Sequence, residues 1–94
     1  MAFRITKQSD IYEINGVLNT QNTDFLKNYF DLLIEKSAFI KMSLNKIKNL
    51  DNKGVEFIAS LYKKATEKNK VLFIVDLKDQ QLVQLFKQEN IFTY

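Results

Sequence analysis

The sequence predicts an α/β domain: a mixed sheet of four or five strands with about three helices, an N-terminal hairpin first and β-α crossovers after it. Three observations carry that expectation. Stretches whose apolar residues recur with period two alternate along the chain with stretches whose apolar residues recur at helical spacing. One stretch, VLFIV (71–75), is apolar throughout and of strand length, which suits a central strand covered on both faces. Finally, 94 residues with 46% hydrophobic and 13% aromatic content, no proline and no low-complexity segment suit one compact core, so residues 1–94 are read as a single domain.

Each element follows from its pattern. FRITK (3–7) alternates apolar and polar residues as a half-buried strand does, and IYEINGVL (11–18) repeats the alternation less regularly. Gln8, Ser9 and Asp10 between them are turn residues, which makes the pair an antiparallel hairpin. Asn19 and Thr20 can cap a helix, and the segment after them sets Leu26, Tyr29, Phe30, Leu33 and Ile34 along one face. In SAFIKMSL (37–44), Ile40, Met42 and Leu44 alternate with Lys41 and Ser43, so a strand is expected. Asp51 can cap a second helix whose stripe is Val55, Ile58, Leu61, Tyr62 and Ala65. After VLFIV, Asp79 can cap a third helix with Leu82, Leu85 and Phe86 inward. IFTY (91–94) reads as a short terminal strand or tail. The order is β-β-α-β-α-β-α, with right-handed parallel crossovers.

Composition excludes several function classes. There is no cysteine and no histidine, so disulfides, thiol nucleophiles and the usual zinc ligands are absent, as is the commonest general base near neutral pH. Asp10, Asp24, Asp51, Asp76 and Asp79, five of the six aspartates, lie scattered at turn and cap positions, and no carboxylate pair stands out as general acid and base. An enzyme is not expected, nor are a metal or cofactors. Net charge is +3, from 14 basic and 11 acidic residues, and 13 of the 14 are lysines. Arg4 alone offers a bidentate fork. That balance shows no basic face of the kind nucleic acid needs. No basic segment leads into an apolar run of signal-peptide type, and VLFIV is far too short to span a bilayer. A cytoplasmic protein without direct membrane insertion is expected.

The informative loops are those that carry the two glycines. NGVLNTQN (15–22) runs from the second strand to the first helix, and NKIKNLDNKG (45–54) from the third strand to the second helix. In α/β sheets, ligand and partner sites gather at the carboxyl ends of strands, so the two helix starts are expected to share one surface. Lys53 and Gly54 are odd choices for a first helical turn. The macrodipole disfavours a cation there, and glycine costs about 1 kcal/mol relative to alanine inside a helix. Three readings of Gly54 compete: close packing, which the sequence favours, anion binding with Lys53, or a protein contact wanting a flat helix start. No phosphate-loop spacing is present.

Over nearly its whole length the chain resembles STAS domains, the family of anti-sigma factor antagonists and sulphate-transporter tails. GVLNTQN is similar to the family's Gly-x-Leu-Asp-x-x-Asn stretch: Gly16, Leu18 and Asn22 match, and Asn19 stands where aspartate is usual. SLNKIKNLDNKGVEFI is similar to the family's Asp-Leu-Ser-x-Val followed by Asp-Ser-Ser-Gly. Asp51 and Gly54 match, Ser43 replaces the strand aspartate, and Asn52 and Lys53 replace the two serines. The resemblance implies a bacterial partner-switching module in signal transduction and transcription regulation. Its partner would be an anti-sigma factor of the GHKL (histidine-kinase-like) type, contacted through Asn19, Asn22, Asp51, Asn52, Lys53 and Gly54. It also implies that Lys53 occupies the regulatory phosphorylation position, where lysine cannot accept a phosphate. Two other expectations are weighed beside this one. The first is an accessory role with a transporter ATPase or other assembly, including a homodimer, with Phe92 and Tyr94 at the contact, residues that read more readily as a strand closing the sheet edge. The second is an anion or nucleotide sensor using Lys46, Lys48 and Lys53, residues that read more readily as a solvated rim.

Overall fold

The computed structural model describes residues 3–18, 20–48 and 50–94, and the helix cap expected of Asn19 and the side chain of Thr20 lies outside the description. The chain begins with β1 (Arg4–Gln8) and β2 (Ile11–Val17), an antiparallel pair in which Gln8 faces Ile11 across a two-residue loop. Ser9 takes φ 54 in that loop, because a two-residue hairpin needs a left-handed residue to match the twist of its strands. Helix α1 (Thr20–Lys36) leads to β3 (Phe39–Ser43), and a very short strand β4 (Ile47–Lys48) precedes α2 (Asn52–Glu67). Strand β5 (Val71–Val75) and helix α3 (Gln80–Gln88) complete the order.

The sheet runs β1-β2-β3-β5, antiparallel in the hairpin and parallel elsewhere, with β4 paired to β2 off this path. Strand β2 therefore has two successive neighbours on one side: Ile11 to Glu13 pair with β3, and Gly16 and Val17 with β4. The sequence pattern predicts only a loop over 45–54. Two residues containing a lysine carry no readable alternation, and it is Gly16 that lets the chain re-pair. Its φ of 114 is open to glycine, and its amide donates to the Lys46 carbonyl at 3.3 Å.

Both crossovers step across the sheet in one direction, from β2 to β3 and from β3–β4 to β5. Right-handed connections then place α1 and α2 on the same face, and the two helices pack together, with α3 against α2. The core lies between these layers. Ile14, Ile40, Met42, Leu72 and Ile74 of the sheet meet Leu26, Phe30, Ile34, Ile58, Leu61, Ala65 and Phe86 of the helices, all of them buried.

The double coverage expected of VLFIV is not found. Leu72 and Ile74 are buried under the helices, but Val71 is 46% exposed and Phe73 is only half-buried on the outer face. The run is apolar because that outer face carries its own aromatic row, Phe39–Phe73–Tyr94, with ring centroids 6.5 and 5.6 Å apart. Tyr94 reaches its place because IFTY joins the edge of β5: Thr93 bridges Ile74 in parallel, Tyr94 N donates to Ile74 O at 2.8 Å, and Asp76 N donates to Tyr94 O at 2.9 Å.

Helices α2 and α3 end alike. Asn69 (φ 62) and Asn90 (φ 63) take the left-handed position just past each helix. The amides behind them close back on the helix, Lys70 N on Ala65 O at 2.8 Å and Ile91 N on Phe86 O at 2.9 Å. Phe86 and Ile91 are both fully buried, the apolar contact that accompanies this type of stop.

Candidate functional site

The start of α2 is built around Asp51. Its backbone is extended, Oδ1 accepts from Gly54 N at 2.9 Å, and its carbonyl accepts from Val55 N at 2.9 Å, so a cap is made as the sequence predicts. Gly54 is buried at the base of this turn. A Cβ placed there would collide with Leu50 Cδ1 and lie 3.5 Å from both Leu18 Cδ2 and Asp51 Oδ1. Leu18 comes from the link between β2 and α1, and Leu50 from the link between β4 and α2. The missing side chain of Gly54 is what lets the two links close on each other, so packing is the reading of this glycine that the geometry supports. The link that leads into α1 thus lies against the first turn of α2.

Around that base the expected site residues divide. Asp51, Asn52 and Lys53 are exposed. Gly54 is buried and presents nothing to a partner directly. Asn22 is half-buried, and its Nδ2 donates to Val17 O at 2.6 Å, tying the first turn of α1 to the end of β2. Asn19 lies outside the described residues. Ser43 is 2% exposed in β3, so a kinase could not reach it without opening the sheet.

One contributor was missed by the sequence reading. A groove of about 530 Å3 runs between the starts of α2 and α3, and Asn52 and Lys53 share its walls with Asp79, Gln81 and Leu82. Asp79 caps α3, its Oδ1 accepting from Gln81 N at 2.9 Å and Leu82 N at 3.3 Å. The cap was legible, but its place beside Lys53, far off in sequence, was not. Conversely, the three lysines grouped as an anion site are not brought together. Lys53 lines the α2–α3 groove, whereas Lys46 and Lys48 line a different recess with Arg4. Among the described residues, no group of three or more carboxylates is placed to hold a metal ion, and no helix is long and apolar enough to cross a membrane.

Comparison with known proteins agrees with this architecture. A family model, the STAS domain, matches residues 2–93. The anti-sigma factor antagonist SpoIIAA, solved in its unphosphorylated form, superposes with a TM-score of 0.70 at 11% identity, over 99% of this chain and 87% of that one. An anti-sigma factor antagonist from Mycobacterium paratuberculosis gives 0.69 at 12% identity, over 97% and 81%. A protein named Mglu gives 0.66 at 13% identity over 80% of this chain, but only 19% of its own length is spanned. At such identities the likenesses are of fold. No curated protein matches the sequence significantly. With three helices on a mixed sheet of anti-sigma-factor-antagonist form and a family match over nearly every residue, the chain belongs to the STAS domain family.

Proposed function

We propose that this chain is a non-enzymatic protein-interaction module of the anti-sigma-factor-antagonist kind, working in partner switching in the bacterial cytoplasm without the usual phosphorylation switch. One observation carries the reading. The frame of the family's regulatory turn is kept, with Asp51 capping and Gly54 packed on Leu18 and Leu50, yet the exposed position it presents holds Lys53. An ammonium cannot be phosphorylated as a serine is, and its charge is opposite to that of a phosphoserine. Asn52 beside it has no hydroxyl. The contact face consists of Asp51, Asn52 and Lys53, with Asn22 and Gly54 holding the loops in place and Asn19 at the start of α1. The partner is an anti-sigma factor of the histidine-kinase-like type.

Affinity capture from the source cells, with partners identified by mass spectrometry, tests this directly. Recovery of a kinase-like anti-sigma factor is the expected result. Against that partner, Lys53→Glu is expected to weaken binding by about tenfold if the facing surface is acidic. Lys53→Ser is expected to take up phosphate from the partner and ATP where the natural chain takes up none. Stoichiometric phosphorylation of the natural chain in cells would overturn the switchless reading.

A second reading, an accessory subunit of a transporter or other assembly, is supported by the outer-face aromatics. Phe39 and Tyr94, 51% and 71% exposed, flank Phe73 on the outer face, and Phe92 beside Tyr94 in sequence is 65% exposed. Capture of a transporter ATPase instead of an anti-sigma factor would favour it. A sharp monomer in light scattering at high concentration would remove self-assembly.

A further inference from the structure

A second recess, of about 590 Å3, opens where β1, β2 and β4 meet, away from the α2–α3 groove, and it is lined by Arg4, Asn15, Gly16, Asn45, Lys46 and Lys48. Its shape has a local cause. Arg4 lies opposite Asn15 in the hairpin, and one residue further along β2 the chain reaches Gly16, which has no side chain to fill the space beside them. On the other side of β2, Gly16 pairs with Ile47 and Val17 with Lys48, so the break between β3 and β4 delivers Lys46 and Lys48 to the far wall.

The recess concentrates charge. The only arginine of the chain and two of its lysines converge there, all three exposed. The opposing charge is Glu13, whose Oε1 lies 3.4 Å from Lys46 Nζ, and no lining residue is a carboxylate. One pair is therefore internally balanced, and Arg4 and Lys48 add two positive charges around an open hollow.

We propose that this recess docks an acidic segment of a partner protein, an extended stretch bearing several Asp or Glu side chains. The cations come from different segments around an open depression, Arg4 from β1, Lys48 from β4 and Lys46 from the turn before β4, so a small hydrated anion meets few of them at once, whereas a run of carboxylates meets all three. Arg4 supplies the planar fork that takes a carboxylate by two parallel hydrogen bonds. Lys46 and Lys48 supply mobile point charges, and Lys46 can exchange Glu13 for a carboxylate of the segment. The attraction speeds association and selects the partner by charge more than it adds affinity. The proposal rests on the reading of the chain as an interaction module, but it assigns a contact that the α2 start does not include.

The test is a titration of the isotope-labelled chain with a capped hexaglutamate peptide, followed by amide chemical shifts. Capped hexaglutamine and inorganic phosphate at matched ionic strength serve as comparison probes. Saturable shifts centred on Asn15, Gly16, Ile47 and Lys48 are expected with hexaglutamate alone. Raising salt from about 20 to about 200 mM is expected to weaken the binding strongly. Arg4→Gln, Lys46→Gln and Lys48→Gln are each expected to weaken it by about two- to fivefold, as befits exposed ion pairs. Lys68→Gln, at the far end of α2, is expected to change nothing. Equal weakening by Lys68→Gln, or shifts scattered over all the surface lysines, would show diffuse attraction and overturn the proposal. The same shifts with phosphate alone would make the recess a small-anion site and overturn it too. The probe is synthetic, so failure to capture a cellular partner and failure of the recess to bind acidic chains are separate results.

Discussion

At position 54 a helix and a packing contact make opposite demands. Alanine would gain about 1 kcal/mol of helix propensity over glycine, but its methyl group must displace the tip of Leu50. Leu50 is only half-buried and can swing away, so Gly54→Ala is expected to change stability by less than about 1 kcal/mol in urea unfolding, while moving the Leu50 resonances. Gly54→Val has no such escape, because it also presses on Leu18 and Asp51, and a loss of about 1–3 kcal/mol is expected in the same measurement. Asp51→Ala removes the acceptor for Gly54 N and is expected to cost about 1 kcal/mol. A partner that reads the turn itself would lose affinity with both Gly54→Val and Asp51→Ala, and one that reads only Lys53 with neither. The question the sequence raised about Lys53 and Gly54 thus separates into two. The glycine answers to packing, and the lysine, exposed and free of any packing demand, answers to whatever the surface meets.

Helices α1 and α2 are clamped by one carboxylate. Asp31 accepts from Lys64 across the helix interface at 2.7 Å and from Lys27 one turn back at 3.3 Å. Burial works to raise its pKa, but the hydrogen bonds and charges of Lys64 and Lys27 together prevail, so the carboxyl titrates below its usual 3.8. A carboxylate whose pKa is lowered by folding stabilises the fold above its unfolded pKa, and that contribution is lost as pH falls through the folded value. Asp31→Asn is therefore expected to cost about 0.5–1 kcal/mol at neutral pH, and to flatten the fall in stability below about pH 4. Acid titration of the two chains by circular dichroism checks both expectations. Just past α2 and α3, Asn69→Ala and Asn90→Ala force a Cβ-bearing residue without a compensating amide into a left-handed backbone. Each is expected to cost about 1 kcal/mol, whereas Asn69→Gly leaves stability close to unchanged.

The molecule as a whole is two layers around one contiguous core, and that core draws on every helix and on the strands β2, β3 and β5. Ile58 lies fully buried on the sheet-facing stripe of α2. Ile58→Ala is expected to lower stability by about 2–5 kcal/mol. The transition followed by tyrosine fluorescence and by helical circular dichroism should remain a single coincident curve, since a core shared in this way unfolds as a unit. Independent melting of the hairpin would contradict that. The uncovered outer face is a consequence of topology. Because both crossovers step the same way across the sheet, no helix is available to cover Phe39, Phe73 and Tyr94, and they cover one another instead.

What the sequence determined by itself is local. The hairpin, the three helices with their inward stripes, and the Asp51 and Asp79 caps all follow from interactions between residues close along the chain, where apolar period and capping chemistry are written directly. The resemblance to STAS domains was legible in Gly16, Leu18, Asn22, Asp51 and Gly54 for a related reason: glycines at a bend and at a tight contact, and a cap between them, mark backbone demands that few other residues satisfy. Tertiary structure alone decided the rest. A two-residue β4 has no periodicity to read, and its pairing depends on a glycine some thirty positions earlier. An apolar VLFIV looks the same whether a helix or a neighbouring aromatic row covers its second face, and only the direction of the crossovers chose between them. The charges followed the same rule. Lys46, Lys48 and Lys53 are neighbours in sequence but face different hollows, and Arg4 joins two of them because the hairpin brings the first strand back beside the glycine bend. Long-range pairing sets which surface a side chain belongs to, and no local pattern encodes it.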